Sequence, residues 1–532
     1  MEKTRRLLDE TLSPLYASDS PGAAVLVVQN GAERLRFTTG LANTDTHTPI
    51  TVHTAFDAGS IAKTITGFCV AMLEDDHKLS LDANIREFLP ELPDAASRIS
   101  IAHLLRHESG LHDYSTLLYF MAGWHPHAPP TSELILEILS RVPGPKWPPG
   151  SRYHYADTNY FLLARAIERI VDMPFGQFAE HAVFKLLGMN DSFMTDTALP
   201  GVGEVAEGYA AYPIGLGSPH MTHAASRPGH YPVGLRYRHT GAEGFRTSVA
   251  DLAALGREIL APSRIKAATM ARITAPVRLR EGALGYGYGL NVGTYLGLEF
   301  FGHNGMIQGF TASLSVFPDH NLVIAGLTNR EDVSAWSYRN FALKELFGVE
   351  PSTASESVRI GGSSPKPRPG FYLDPMTSSF LVLTVDNETL CAGLNGGVPQ
   401  PVNYETRCSV GEEDDARITV RRDEQTHQFV PFIDALRTPP LQAYTGNYVR
   451  KPLQTTFCVA ATNAGIQLTN TDPARPSMDL TYTPTIQDFF WSHDPYPGIS
   501  QIEFLRDGGR IATFRYRDYD GDGREAFVFR RV

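Results

Sequence analysis

Phe56-Asp57-Ala58-Gly59-Ser60-Ile61-Ala62-Lys63-Thr64-Ile65-Thr66-Gly67-Phe68 decides how the chain is read. With a helix from about Ser60, the Ser60 hydroxyl and the Lys63 ammonium stand one turn apart on one face. A serine hydroxyl attacks poorly at neutral pH unless a neighbour accepts its proton. Lysine accepts it only when partly desolvated or placed in positive potential, which the start of a helix supplies. Gly59 allows another backbone to come close before the serine. Beyond it Ile65, Phe68, Val70, Ala71, Met72 and Leu73 make a mostly apolar, buried helix. A polar pair at the mouth of such a helix points to a site rather than to an ordinary solvated first turn.

Two distant segments complete a constellation. Pro148-Pro149-Gly150-Ser151-Arg152-Tyr153-His154-Tyr155-Ala156-Asp157-Thr158-Asn159-Tyr160 predicts a turn, a polar loop and then a helix with Leu162, Leu163, Ala166, Ile167 and Ile170 as its apolar stripe. Tyr155 and Asp157 precede that stripe. Phe300-Phe301-Gly302-His303-Asn304-Gly305-Met306-Ile307-Gln308-Gly309-Phe310 predicts a strand, a glycine-flanked turn and a return, where backbone can approach a ligand.

These segments together resemble the serine β-lactamase and penicillin-recognising enzyme superfamily in its class C β-lactamase-like branch. Ser-x-x-Lys stands at 60 to 63, Tyr-x-Asn is represented by Tyr155-Ala156-Asp157, and His-x-Gly lies at 303 to 305. Ala102-His103-Leu104-Leu105-Arg106-His107-Glu108-Ser109-Gly110-Leu111, Leu187-Gly188-Met189 and Tyr286-Gly287-Tyr288-Gly289-Leu290 add to the likeness, which covers about residues 12 to 345. The resemblance implies an α/β catalytic domain, β-lactamase/transpeptidase-like, with an antiparallel sheet flanked by helices. It implies Ser60 as the acylated nucleophile, Lys63 as base or proton shuttle, and Tyr155 as the phenol exchanging protons with Ser60 and the leaving group. The amides of Ser60 and Met306, the residue after Gly305, would be oxyanion donors. His303 would help hold a substrate carboxylate or carbonyl, with a charge variable near neutral pH, or would be hydrogen-bonded within its turn.

Asp157 departs from the family pattern. An asparagine both donates and accepts, whereas an ionised aspartate only accepts. It would favour a protonated Lys63 and a substrate bearing an amine, and would repel a free carboxylate. Alternatively it caps the helix beginning near Thr158.

At 532 residues the chain is long enough for two or three domains, and 42% apolar residues describe an ordinary globular protein. A net charge of −11 argues against nucleic-acid or anionic-membrane partners. The start, Met1 to Glu10, predicts an amphipathic helix rather than a secretion signal, and no apolar run approaches the ~20 residues that span a bilayer. Cys69, Cys391, Cys408 and Cys458 lack metal-ligand spacing. Reduced thiols are expected, with Cys391 and Cys408 the one candidate disulfide. A cytoplasmic location follows, unless a signal has been removed; no metal or cofactor is expected, and a homodimer is compatible with the sequence.

Composition changes after Leu346-Phe347-Gly348. The catalytic domain is assigned to 1–348, a Pro-, Gly- and Ser-rich linker to 349–370, and two antiparallel β-barrel domains to 371–436 and 437–532. Tyr444-Thr445-Gly446-Asn447-Tyr448 is similar to the opening of lipocalin-like barrels appended to this superfamily. The order resembles the three-domain D-aminopeptidase architecture, in which a barrel loop limits substrate size. Residues Thr469 to Leu480 would supply that loop, with Asp479 or Asp472 contacting an amine, unless the segment is a solvated connection. Asp518-Tyr519-Asp520-Gly521-Asp522-Gly523 begins like a calcium loop, but Phe529 occupies the twelfth position, so a hairpin turn is expected. His220 and His223 lack a carboxylate cluster and read as a pocket-bordering loop. Leu117 to His127 and Tyr209 to Arg238 are expected to build pocket walls.

The leading expectation is a serine acyl-enzyme hydrolase for a small amide, peptide or ester, in its sharpest form a D-aminopeptidase or amidase, with a carboxylesterase close behind. An acyltransferase or peptide cyclase would use the same acyl-enzyme. A binding or sensor protein without turnover is the reading from another class.

Overall fold

Ala23-Ala24-Val25-Leu26-Val27-Val28-Gln29 forms β1, buried along nearly all of its length because both faces of the sheet are covered. Each fully buried valine or leucine there contributes about 2 kcal/mol of apolar burial. β2 is Ala32–Thr39, β3 Gly285–Gly287, β4 Leu290–Tyr295, β5 Leu298–Ile307, β6 Phe310–Phe317 and β7 Leu322–Thr328. They make one antiparallel sheet in the order β3-β4-β5-β6-β7-β1-β2, so the N-terminal hairpin pairs with the C-terminal strands. The computed structural model describes residues 19–118, 130–196, 204–210, 230–233, 240–275, 285–331, 333–348, 370–373, 380–386, 389–394, 400–401, 418–422, 425–431, 440–450, 455–463, 465–471, 479–486, 489–494, 498–517 and 526–532.

Four helices matter for the site: α1 (Ala62–Asp75), α2 (Asp157–Val171), α3 (Val249–Leu260) and α4 (Trp336–Phe347). Tyr338, Ala342 and Leu343 of α4 pack on Val25, Val27, Leu322 and Ile324, one face of the sheet. α3 lies on the opposite face, where a Cβ on Gly256 would stand 2.4 Å from Val323. α1 is buried on nearly every side. A Cβ on its Gly67 would fall 2.0 Å from the Tyr288 carbonyl oxygen, so only glycine admits that backbone.

The chain divides into two compact units, Met1–Val349 and Glu350–Val532. Nearly all of the expected connector over 349–370 lies outside the described residues, as do the amino-terminal helix, the histidine pair at 220 and 223, the calcium-like run and Asp472. In the second unit the barrel expected over 371–436 is, among the described residues, a six-stranded sheet whose two end strands, Gln400–Pro401 and Ile418–Arg422, are not paired with each other. The following eight strands, Gly446–Arg450 to Ala526–Arg531, do close into a barrel. Its interior is filled by Tyr444, Tyr448, Phe457, Phe490, Phe504, Phe514 and Phe529, all 2% exposed or less, as the width of an eight-stranded barrel allows. Cys69 and Cys458 are free thiols; the Cys391–Cys408 pairing lies outside the described side chains.

Candidate active site

The nucleophile turn is built from its backbone outward. Phe56–Asp57 pairs with the strand Phe245–Thr247, and the Asp57 carboxylate accepts a 3.0 Å hydrogen bond from Gly59 N–H. Gly59, at φ +49°, then starts a 3₁₀ turn over Gly59–Ile61, and α1 follows from Ala62. The helix thus starts two residues later than the sequence suggests. The tighter turn still leaves Ser60 beside Lys63, whose Nζ donates to Ser60 Oγ at 3.0 Å and to the Ala242 carbonyl at 3.0 Å.

Lys63 is fully buried, and its Nζ lies 2.7 Å from Asp157 Oδ1 and 4.9 Å from the centre of the Tyr155 ring. Burial alone would lower its pKa, but the Asp157 carboxylate and the Tyr155 phenol outweigh that and hold it above its ordinary value. Tyr155 shows 37% exposure. Burial of its hydroxyl raises the phenol's pKa, while Lys63, and hydrogen bonding to Lys63 and Ser60, pull it down. Asp157 is not the helix cap: α2 begins at Asp157 with Ala156 at the cap position, and no side chain caps there. Instead the Asp157 amide donates to Asp113 Oδ2 at 2.5 Å, leaving its own carboxylate for Lys63.

His303 and Gly305 lie within β5 rather than in a turn; the reversal comes at Gln308-Gly309, between paired Ile307 and Phe310. A Cβ on Gly305 would stand 1.9 Å from Ala58 O and 3.3 Å from Ser60 N, and one on Gly59 would stand 3.0 Å from Met306 N. The edge of β5 therefore runs directly against the nucleophile turn, with the Met306 side chain 66% exposed at its rim. His303 corrects the expectation of a variable charge. It is 4% exposed, its Nε2 lies 2.9 Å from the Tyr286 hydroxyl and its Nδ1 2.5 Å from the Asn304 carbonyl oxygen. Burial first, then Lys63, lowers its pKa to about 3, so the ring is neutral with both nitrogens engaged inside the protein. Asp479 begins the strand Asp479–Ile486 of the barrel, in the other unit, and its side chain lies outside the described residues.

Several neighbours carry no obvious motif. Ala242 offers only a carbonyl, and Glu243 is a buried carboxylate 3.5 Å from the Tyr114 hydroxyl. Asp113 is marked only by its place before a short helix, Tyr114–Leu117, that it caps. Among the described residues no group of three histidine, cysteine or carboxylate side chains is arranged to hold a metal ion.

The Beta-lactamase family's sequence model matches residues 8–346, which contain every group described above except Asp479. The chain belongs to that family. It is a serine hydrolase of the β-lactamase and penicillin-binding-protein superfamily. A D-aminopeptidase from Brucella anthropi is 26% identical over 423 residues, 78% of this chain and 75% of its own length. A D-aminopeptidase from Cereibacter sphaeroides is 23% identical over 93% of each chain. The structure of D-amino acid amidase from Ochrobactrum anthropi SV3 aligns over 62% of this chain and 91% of its own, with a TM-score of 0.51 at 19% identity, a likeness of fold.

Proposed function

We propose that the chain is an amide hydrolase acting through an acyl-enzyme on Ser60, and that its substrates are small amides or short peptides with a free amino group on a D-residue. The observation that carries this reading is the double contact of Lys63 Nζ, to Ser60 Oγ at 3.0 Å and Asp157 Oδ1 at 2.7 Å. It keeps the lysine protonated, so Lys63 is a poor base and Tyr155 is the proton carrier. Ser60 Oγ attacks the carbonyl carbon and gives its proton to the Tyr155 oxygen, while the phenol passes its own proton to the leaving nitrogen. The C–N bond breaks and an ester on Ser60 remains. Water then attacks the ester along the reverse proton route and frees Ser60. The Lys63 ammonium steadies negative charge on the phenol and on Oγ throughout.

The amides of Ser60 and Met306 serve the tetrahedral oxyanion, each donor worth roughly 3 kcal/mol of barrier. Neutral His303 holds the shape of β5 beside them. Asp157, Asp113 and Glu243 give this end of the site a carboxylate character that suits an ammonium. The names of the D-aminopeptidase relatives support the same substrate class. The closed barrel and the sheet before it are read as the two appended lipocalin-like modules of that arrangement.

A matched pair of D- and L-alanyl anilides, with an alanyl ester as control, tests the reading. Turnover of the D-anilide with about tenfold or greater preference over the L form is expected, a difference of about 1.4 kcal/mol between transition states. Equal indifference to both anilides alongside rapid ester cleavage points to an esterase instead.

A further inference from the structure

His107 is fully buried at φ +54° and touches no group assigned to substrate, yet it packs against the proton carrier. Its ring centre lies 4.3 Å from that of Tyr155, with the planes tilted by 31°, and the rings of Tyr286 and Tyr160 close in at 4.7 and 5.1 Å. Its Nδ1 accepts from the backbone N–H of Ala156, the residue after Tyr155, at 3.2 Å, and lies 2.9 Å from Asn159 Nδ2. Asn159 is held in turn by Ser109 Oγ at 2.5 Å. The Ala156 amide has only a proton to offer, so Nδ1 is bare and Nε2 carries the hydrogen. Among the described residues Nε2 has no hydrogen-bond partner. A left-handed backbone and an unmatched buried donor each destabilise, and such departures gather at sites of function.

We infer that His107 is a positioning residue for Tyr155. Its bare Nδ1 pins the backbone on one side of the phenol, and its ring face sets the plane in which the hydroxyl meets Ser60 and Lys63. A protonated imidazole would turn Nδ1–H against Ala156 N–H and release that grip. Burial first, then the charge of Lys63, keeps the ring neutral. The role rests on the reading that Tyr155 carries the proton.

Two variants separate grip from packing. H107F keeps an aromatic ring but offers no acceptor to Ala156, whereas H107N keeps an acceptor near the Nδ1 position and loses the ring. With the D-alanyl anilide, H107F is expected to lose kcat on the order of 10²-fold, the scale of a misplaced catalytic group, with KM changed less than about threefold. Its rate of Ser60 labelling by a fluorophosphonate falls in parallel, and H107N recovers most of both. A folded H107F with wild-type kcat overturns the inference. Should H107F not fold, nitrogen-15 NMR of the histidines in wild-type protein, assigned against H107N, decides. An Nδ1 signal of the unprotonated type that is constant between about pH 5 and 9 supports the role; a proton on Nδ1, or a midpoint in that range, overturns it. If wild-type Ser60 itself resists labelling, the acyl-enzyme reading falls first and takes this role with it. Labelled wild type with an equally reactive H107F sinks only the role of His107.

Discussion

The carboxylate of Asp157 favours the protonated form of Lys63, the residue that donates to Ser60 Oγ. An asparagine there would leave Lys63 buried with weaker compensation, and its pKa would fall. D157N is therefore expected to lower kcat/KM for the D-alanyl anilide by about tenfold or more while sparing a neutral ester, as a stopped-assay comparison of the two substrates will read. Loss in equal measure on both would show that Asp157 does not serve the amino group. His303 gives a pH prediction of definite sign. Its folded pKa, about 3, lies below the ordinary value, so the unfolded chain binds a proton that the folded ring refuses. Stability from this group is full above about pH 6.5 and is lost as pH falls through that value toward 3. H303N should flatten that part of a melting-temperature profile; an unchanged slope contradicts the assignment.

At the scale of elements, the site is a meeting of a strand edge, a helix start and a loop. Gly305 permits the first contact, since a Cβ there would overlap Ala58 O. G305A is expected to push β5 from the nucleophile turn and slow fluorophosphonate labelling by on the order of 10²-fold, with a fall in melting temperature. Normal labelling of a folded G305A would mean that β5 does not supply the oxyanion donor. The sequence made Ser60, Lys63, Tyr155 and the helices that follow them legible because a three-residue spacing at a helix start, and a loop leading into an apolar stripe, are local patterns. It did not reveal His107, Asp113 or the Ala242 carbonyl as parts of the site, because each acts through a contact between segments far apart in the chain. His303 misled for the same reason: its neutrality depends on burial and on Lys63, which reaches it only through the fold. The strand Asp479–Ile486 was hidden by Pro484, which a bulge between Pro484 and Ile486 accommodates.

For the whole molecule, the two units differ in what they contribute to chemistry. Every residue given a catalytic role lies within Met1–Val349, which has its own sheet, covering helices and core. A chain ending at Val349 is expected to melt cooperatively and to label at Ser60 at a rate within about threefold of the full protein. A folded but unreactive fragment would show that residues beyond 349 complete the site. The filled aromatic interior of the barrel argues that this unit serves as a packed module rather than as a carrier of a small molecule in its core. The most direct test of the central claim is an acid-quenched reaction of wild-type protein with a D-alanyl ester, followed by intact-mass and peptide mapping against S60A. The account predicts one added D-alanyl group on the peptide containing Ser60 and none on S60A; a folded wild type that turns over the ester with no adduct on Ser60, or with the adduct on another residue, contradicts it.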